Sequence, residues 1–201
     1  MASIYQLKPA FQQLLRPLTN RLAAIGITAN QVTLIALILS CLIGAVIAWR
    51  PDKTVLLLLL PGTLFVRMAL NAIDGMLARE HNMKTKVGAV LNELSDVASD
   101  TALYLPLALV PAFDLRLVVS LVILAVIVEM AGVVATQIGA SRNYAGPMGK
   151  SDRAFAFGLL ALLLGLGLPG GPWVTTCLWL MLIGSLFTIY NRSSKALAEA
   201  A

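Results

Sequence analysis

With 201 residues, 59% of them hydrophobic and 12% charged, and a mean hydropathy of +0.85, the chain is too apolar for a soluble domain and too short for several domains. It reads as one polytopic membrane domain. Its formal charge of +5 is dispersed over several loops rather than gathered in one patch, which argues against a nucleic-acid partner and suits topology signals and lipid headgroups.

Residues 1–27 form the first segment. Leu7, Phe11, Leu14, Leu18 and Leu22 recur at three and four residues with Lys8, Arg16 and Arg21 between them, the pattern of an amphipathic helix lying on the cytoplasmic leaflet. Pro9 and Pro17 are expected to break or bend it. Gly26 closes the segment, and Thr28 with Gln31 has the form of a capping box opening the first span. Six apolar runs follow, at roughly 31–49, 54–78, 88–110, 115–139, 153–169 and 173–190, each near the length that crosses a bilayer. None alternates polar with apolar residues, so the runs predict helices rather than barrel strands. The expected fold is all-α and integral to the membrane: six transmembrane helices within 28–192, an interfacial helix before them and a cytoplasmic tail over 193–201.

The turns at 49–53, 111–116 and 168–173 are short, which favours antiparallel neighbours and leaves no room for an extracytoplasmic domain. The long connections, 79–86 and 141–153, hold most of the polar sequence outside the runs. Lys8, Arg16, Arg21, Arg79, Lys84, Lys86, Arg142, Lys150, Arg153, Arg192 and Lys195 fall on one side of the six-span arrangement, and Arg50, Lys53 and Arg116 on the other. The positive-inside rule therefore puts both termini and both long connections in the cytoplasm. No early apolar core with a cleavage site predicts a removable signal peptide. Cys41 and Cys177 have no metal-type spacing and read as packing residues.

The chemistry concentrates around the second and third runs. Asn71, Asp74, Gly75 and Ala78 share one helix face, and Gly88, Asn92, Asp96 and Asp100 repeat every four residues along another. Glu93 shares a face with Asp96 and Asp100. Ionised carboxylates inside a span are costly unless paired, metal-bound or wet, so function is their default reading. Hard oxygen ligands from two helices suit Mg²⁺ or Mn²⁺, which in turn would hold a diphosphate. A small transporter would also use intramembrane carboxylates, but the chain lacks the internal repeats and broken helices of that class.

Asp74, Gly75, Ala78, Arg79, Gly88 and Asp96 stand at the spacing of the signature Asp-x2-Asp-Gly-x2-Ala-Arg-x8-Gly-x3-Asp-x3-Asp, with Thr85 also in a family position. The chain thus resembles the CDP-alcohol phosphatidyltransferase family over most of its length. The resemblance implies attack of an alcohol hydroxyl on the β-phosphorus of a CDP-linked lipid, with release of CMP, by a homodimer in the membrane. It makes Asp74 the principal metal ligand, Asn71, Asn92 and Asp96 further ligands, and Asp96 the general base. Gly75, Ala78, Thr85 and Gly88 would sit around the cytidine diphosphate with Asp74, and Arg79 would meet phosphate. The compact chain fits a bacterial inner membrane.

Two positions depart from the signature. Asn71 and Asn92 stand where the family has aspartates, which lowers the formal negative charge of the site by two. Asparagine still offers a carbonyl oxygen to a hard cation, and Glu93 or Asp100 would be compensating carboxylates. The same departures motivate an alternative, a family relative that binds CDP-lipid or a divalent cation without turnover. Arg142, Lys150 and Arg153, around the Gly146–Arg153 segment, would suit an acceptor that carries its own phosphate. Glu129 and Arg67 would pair with each other or line the cavity, and His81, in a loop, is expected to face solvent.

Overall fold

In a computed structural model the chain is described over residues 4–201, with side chains from Pro9 onward; Leu7 and Lys8 therefore lie outside the described side chains. Seven α-helices run through the described residues: α1 (Ile4–Ala24), α2 (Ala29–Trp49), α3 (Leu59–Glu80), α4 (Lys86–Tyr104), α5 (Leu115–Val134), α6 (Lys150–Gly165) and α7 (Pro172–Ala200). Four helical stretches are long and apolar enough to cross a membrane: Ala29–Trp49, Thr54–Glu80, Leu115–Ile138 and Pro172–Ala200. α4 and α6 occupy the third and fifth expected runs without meeting that measure, because α4 carries Glu93, Asp96 and Asp100 and α6 has only 16 residues. The chain is thus an all-helical membrane protein. It divides into two units, Met1–Cys41 with Gly62–Ser99, and Leu42–Pro61 with Asp100–Ala201.

In the first unit, Ala29 and Val32 of α2 and Ile73 and Leu77 of α3 form a buried core, against which Leu15, Leu22 and Ala23 of α1 pack. The leucine pattern of α1 therefore serves two faces. Leu15 and Leu22 turn to the core, while Leu14 and Leu18 stay exposed. α1 also runs unbroken through Pro9 and Pro17, contrary to the expected break. Each proline removes one backbone bond, and the carbonyl that Pro17 leaves without its helical partner belongs to exposed Gln13, where water can replace it. The capping box at the start of α2 forms as expected: Gln31 Oε1 accepts from Thr28 N–H at 2.8 Å, and Thr28 Oγ1 accepts from Gln31 N–H at 3.3 Å.

In the second unit, α5 packs on α7 and α6 on the 3₁₀ turn Thr54–Leu58. The third run does not continue as one α-helix to residue 110. α4 ends at Tyr104 and a 3₁₀ turn covers Leu105–Leu109, because Pro106 has no N–H to give the carbonyl of Ala102. That freed carbonyl lies against Gly44, where any Cβ would overlap its oxygen, so the glycine permits the close helix approach on which membrane packing relies. Tyr104 stacks on Phe157 of α6 at 4.5 Å, and Asp114 caps α5 by accepting from Leu117 N–H at 3.0 Å. Glu199 accepts both the N–H and the Oγ–H of Ser141, each at 2.9 Å, which ties the end of α7 to the segment after α5. In the turn after α2, the hydrogen bond from Arg50 to Asp52 holds that exposed carboxyl below its usual range.

Candidate active site

The signature residues lie in the first unit, on α3, α4 and the connection between them. Asp74 is 6% exposed, and its Oδ2 accepts a hydrogen bond from Thr33 Oγ1 of α2 at 2.8 Å. Asn71, one face with Asp74 on α3, gives its Nδ2 to Asp96 Oδ1 of α4 at 3.2 Å. Arg67, one turn earlier on α3 and 4% exposed, brings Nη2 to 3.9 Å from that same oxygen. Asn92 and Glu93 are half-buried on α4, one turn before Asp96 and Val97. Arg79 folds its guanidinium over Gly75, 3.0 Å from where a Cβ would stand.

At the start of α4, Thr85 Oγ1 accepts from Gly88 N–H at 2.8 Å and so caps the helix. A Cβ on Gly88 would meet both Thr85 Oγ1 and Asn30 Oδ1 of α2, so a larger residue would displace one or both side chains. His81 is partly exposed, with Nε2 3.2 Å from Asn20 Oδ1.

Glu129 and Arg67 each have partners within their own unit. In the second unit Glu129 Oε1 meets Arg153 at 2.9 Å, and its Oε2 meets Arg192 at 3.5 Å and Arg142 at 3.9 Å. Arg153 also lies 3.5 Å from Asp100 and donates to Met148 O at 3.2 Å. Arg153 and Arg192 are almost wholly buried, whereas Arg142 and Lys150 are half-exposed, Arg142 resting 4.9 Å from the centroid of the Tyr144 ring. Three arginines face two carboxylates, leaving a formal charge of +1. Asp100, weighed as a compensating ligand, is thus engaged by Arg153.

Among the described residues, no group of three or more His, Cys, Asp and Glu is gathered as a metal cage. In the first unit α3 carries Asn71 and Asp74 and α4 carries Asn92 and Asp96, with Asn71 and Asp96 in contact. Hard oxygen donors carrying two negative charges fit one divalent cation. Sequence reasoning missed Thr33, Asn30 and Arg192. A threonine in an apolar run carries no signal by itself, Asn30 is one ordinary polar residue in a first turn, and Arg192 reads as a topology charge.

The family model for CDP-alcohol phosphatidyltransferase matches residues 26–190. Inner membrane protein YnbA of Escherichia coli (strain K12) is 45% identical over 200 residues, covering 99% of this chain and 98% of that protein; its name states a location and no reaction. Among solved structures, phosphatidylinositol phosphate synthase (PgsA1) of Mycobacterium tuberculosis with CDP-DAG bound is similar in fold, with a TM-score of 0.77, 20% identity and 94% of each chain covered. The same enzyme in complex with manganese and citrate matches with a TM-score of 0.76 and 22% identity, over 90% of this chain and 88% of that one.

Proposed function

The chain belongs to the CDP-alcohol phosphatidyltransferase family, and from that premise we propose that it transfers a phosphatidyl group from CDP-diacylglycerol, or a related CDP-linked lipid, to an alcohol. The observation that carries this reading is the seating of Asp74 on Thr33 and of Asp96 on Asn71. Two signature carboxylates are thereby each oriented by a neighbour within one unit.

In this reading Asp96 is the general base. Its Oδ1 is fixed by Asn71, and the carboxylate takes the proton of the acceptor hydroxyl as that oxygen bonds to the β-phosphorus. The bond from the β-phosphorus to the bridging oxygen breaks, and CMP leaves with the electron pair. Asp74 and Asp96, with the amide oxygens of Asn71 and Asn92, would hold one Mg²⁺ or Mn²⁺, which when bound neutralises the diphosphate and the departing CMP. Gly75, Ala78 and Gly88 leave room for a nucleotide beside the helices, Thr85 holds the start of α4, and Arg79 meets phosphate. Arg142 and Lys150, which retain exposure, would meet the phosphate of a phosphorylated acceptor, while Arg153 stays with Glu129 and Asp100. We further take α4 and α6 as spans, giving six, and the protein as a homodimer of a bacterial inner membrane.

A second reading, binding of CDP-lipid or a divalent cation without turnover, is favoured by one observation: Asn71 donates to Asp96, where a carboxylate would instead repel it. CMP release separates the two. Purified protein with CDP-diacylglycerol and Mg²⁺ or Mn²⁺ is expected to release CMP when the right member of a panel of phosphorylated and unphosphorylated alcohols is present. Asp96→Asn should abolish release while the protein remains folded and still binds CDP-lipid. CDP-lipid binding with no release from any acceptor would favour the non-catalytic reading, and full activity in Asp96→Asn would remove Asp96 as the base.

A further inference from the structure

Arg67, one turn before Asn71 on α3, is a buried charge that the reaction just described leaves without a role. A guanidinium stays protonated in proteins, and an intramembrane charge is costly unless it is paired. Arg67 is nonetheless buried, and its Nη2 approaches the oxygen of Asp96 that also accepts from Asn71. Two N–H-bearing groups from consecutive turns of α3 therefore converge on Asp96 Oδ1.

The formal charges point the same way. Asp74, Asp96, half-buried Glu93 and Arg67 sum to −2, so a single divalent ion neutralises the group and a second would bring it to +2. Relative to a centre with four carboxylates and no arginine, the two asparagines and Arg67 together raise the charge by three, more than one divalent ion supplies. In a low-dielectric setting that difference governs how many ions can bind.

Resting on the phosphatidyl-transfer reading, we propose that Arg67 is a positioning residue, the resident counter-cation of Asp96, and that the centre takes one divalent ion per chain, held by Asp74, with no second ion at Asp96. Asn71 then has two uses: its Nδ2 locks Asp96, and its oxygen, turned away from that carboxylate, is a neutral ligand on the face it shares with Asp74.

The test is a Mn²⁺ titration of the purified full-length protein in detergent, with free ion read by electron paramagnetic resonance. Wild type should bind one ion per chain. Arg67→Gln should bind Mn²⁺ about tenfold more tightly or better, because a charge that repels the ion is gone, and Arg67→Lys should bind as wild type does. A purely structural arginine predicts unchanged or weaker binding in Arg67→Gln. That result, or two ions per wild-type chain, overturns the proposal while leaving phosphatidyl transfer to be judged by CMP release. Absence of Mn²⁺ binding by folded wild type overturns both. Should Arg67→Gln fail to fold, the wild-type stoichiometry decides the matter.

Discussion

Thr33 has one hydroxyl proton and two acceptors within reach, Asp74 Oδ2 at 2.8 Å and Ala29 O at 3.1 Å. An ionised carboxylate is the stronger acceptor, so the proton goes to Asp74 and fixes its rotamer from a neighbouring helix. A group that orients a metal ligand in this way commonly changes metal affinity or activity by about 10- to 100-fold when removed. Thr33→Ala is accordingly expected to weaken Mn²⁺ binding and slow CMP release within that range, and Thr33→Ser to restore both. Equal Mn²⁺ affinity in wild type and Thr33→Ala would show that Asp74 needs no such support. At this scale the signature was readable because its spacing is fixed along two helices, whereas partners such as Thr33 and Asn30 are supplied by α2, and one sequence does not say which face of α2 meets α3 and α4.

At the scale of the element, lipid changes what stabilises a helix pair. Exposed Leu34, Ile38 and Leu42 of α2 lose nothing by facing acyl chains, so close packing and polar contacts carry the association. Pro106, Ala102 and Gly44 illustrate the first. The proline was visible in the sequence, but the consequence, a freed carbonyl against a glycine of another helix, depends on register. Glu129 of α5 illustrates the second, as the common partner of Arg142, Arg153 and Arg192. Sequence reasoning found Glu129 and three basic residues of the 141–153 connection but not their assembly, because burial decided it: Arg153 and Arg192 turn inward to the carboxylate instead of outward to headgroups. Breaking a buried pair by neutralising one partner typically costs about 3–5 kcal/mol. Glu129→Gln should therefore lower the melting temperature of detergent-solubilised protein markedly, with Glu129→Asp intermediate, whereas a melting curve like that of wild type would mean that water already screens the cluster.

For the whole molecule, the structure alters the charge argument without reversing it. Burial withdraws Arg153 and Arg192 from the count of juxtamembrane cations, and Arg50 and Lys53 both lie near Asp52, at 3.3 and 3.7 Å. What remains exposed or half-exposed on the expected cytoplasmic side is Arg16, Arg21, Arg79, Lys84, Lys86, Arg142, Lys150 and Lys195, against Arg50, Lys53 and Arg116 on the other. The positive-inside rule counts Lys and Arg near the span ends rather than net charge, and the bias survives the correction. With Cys41 and Cys177 changed to alanine, single cysteines at Lys84 and Tyr144 should react with a membrane-impermeant thiol reagent only after cells are permeabilised. Cysteines at Lys53 and Leu168 should react in intact cells. Labelling of Lys84→Cys from outside would place the signature connection on the far side of the membrane. A site there would be cut off from cytoplasmic CDP-lipid headgroups, so the outcome bears on the reaction as well as on topology.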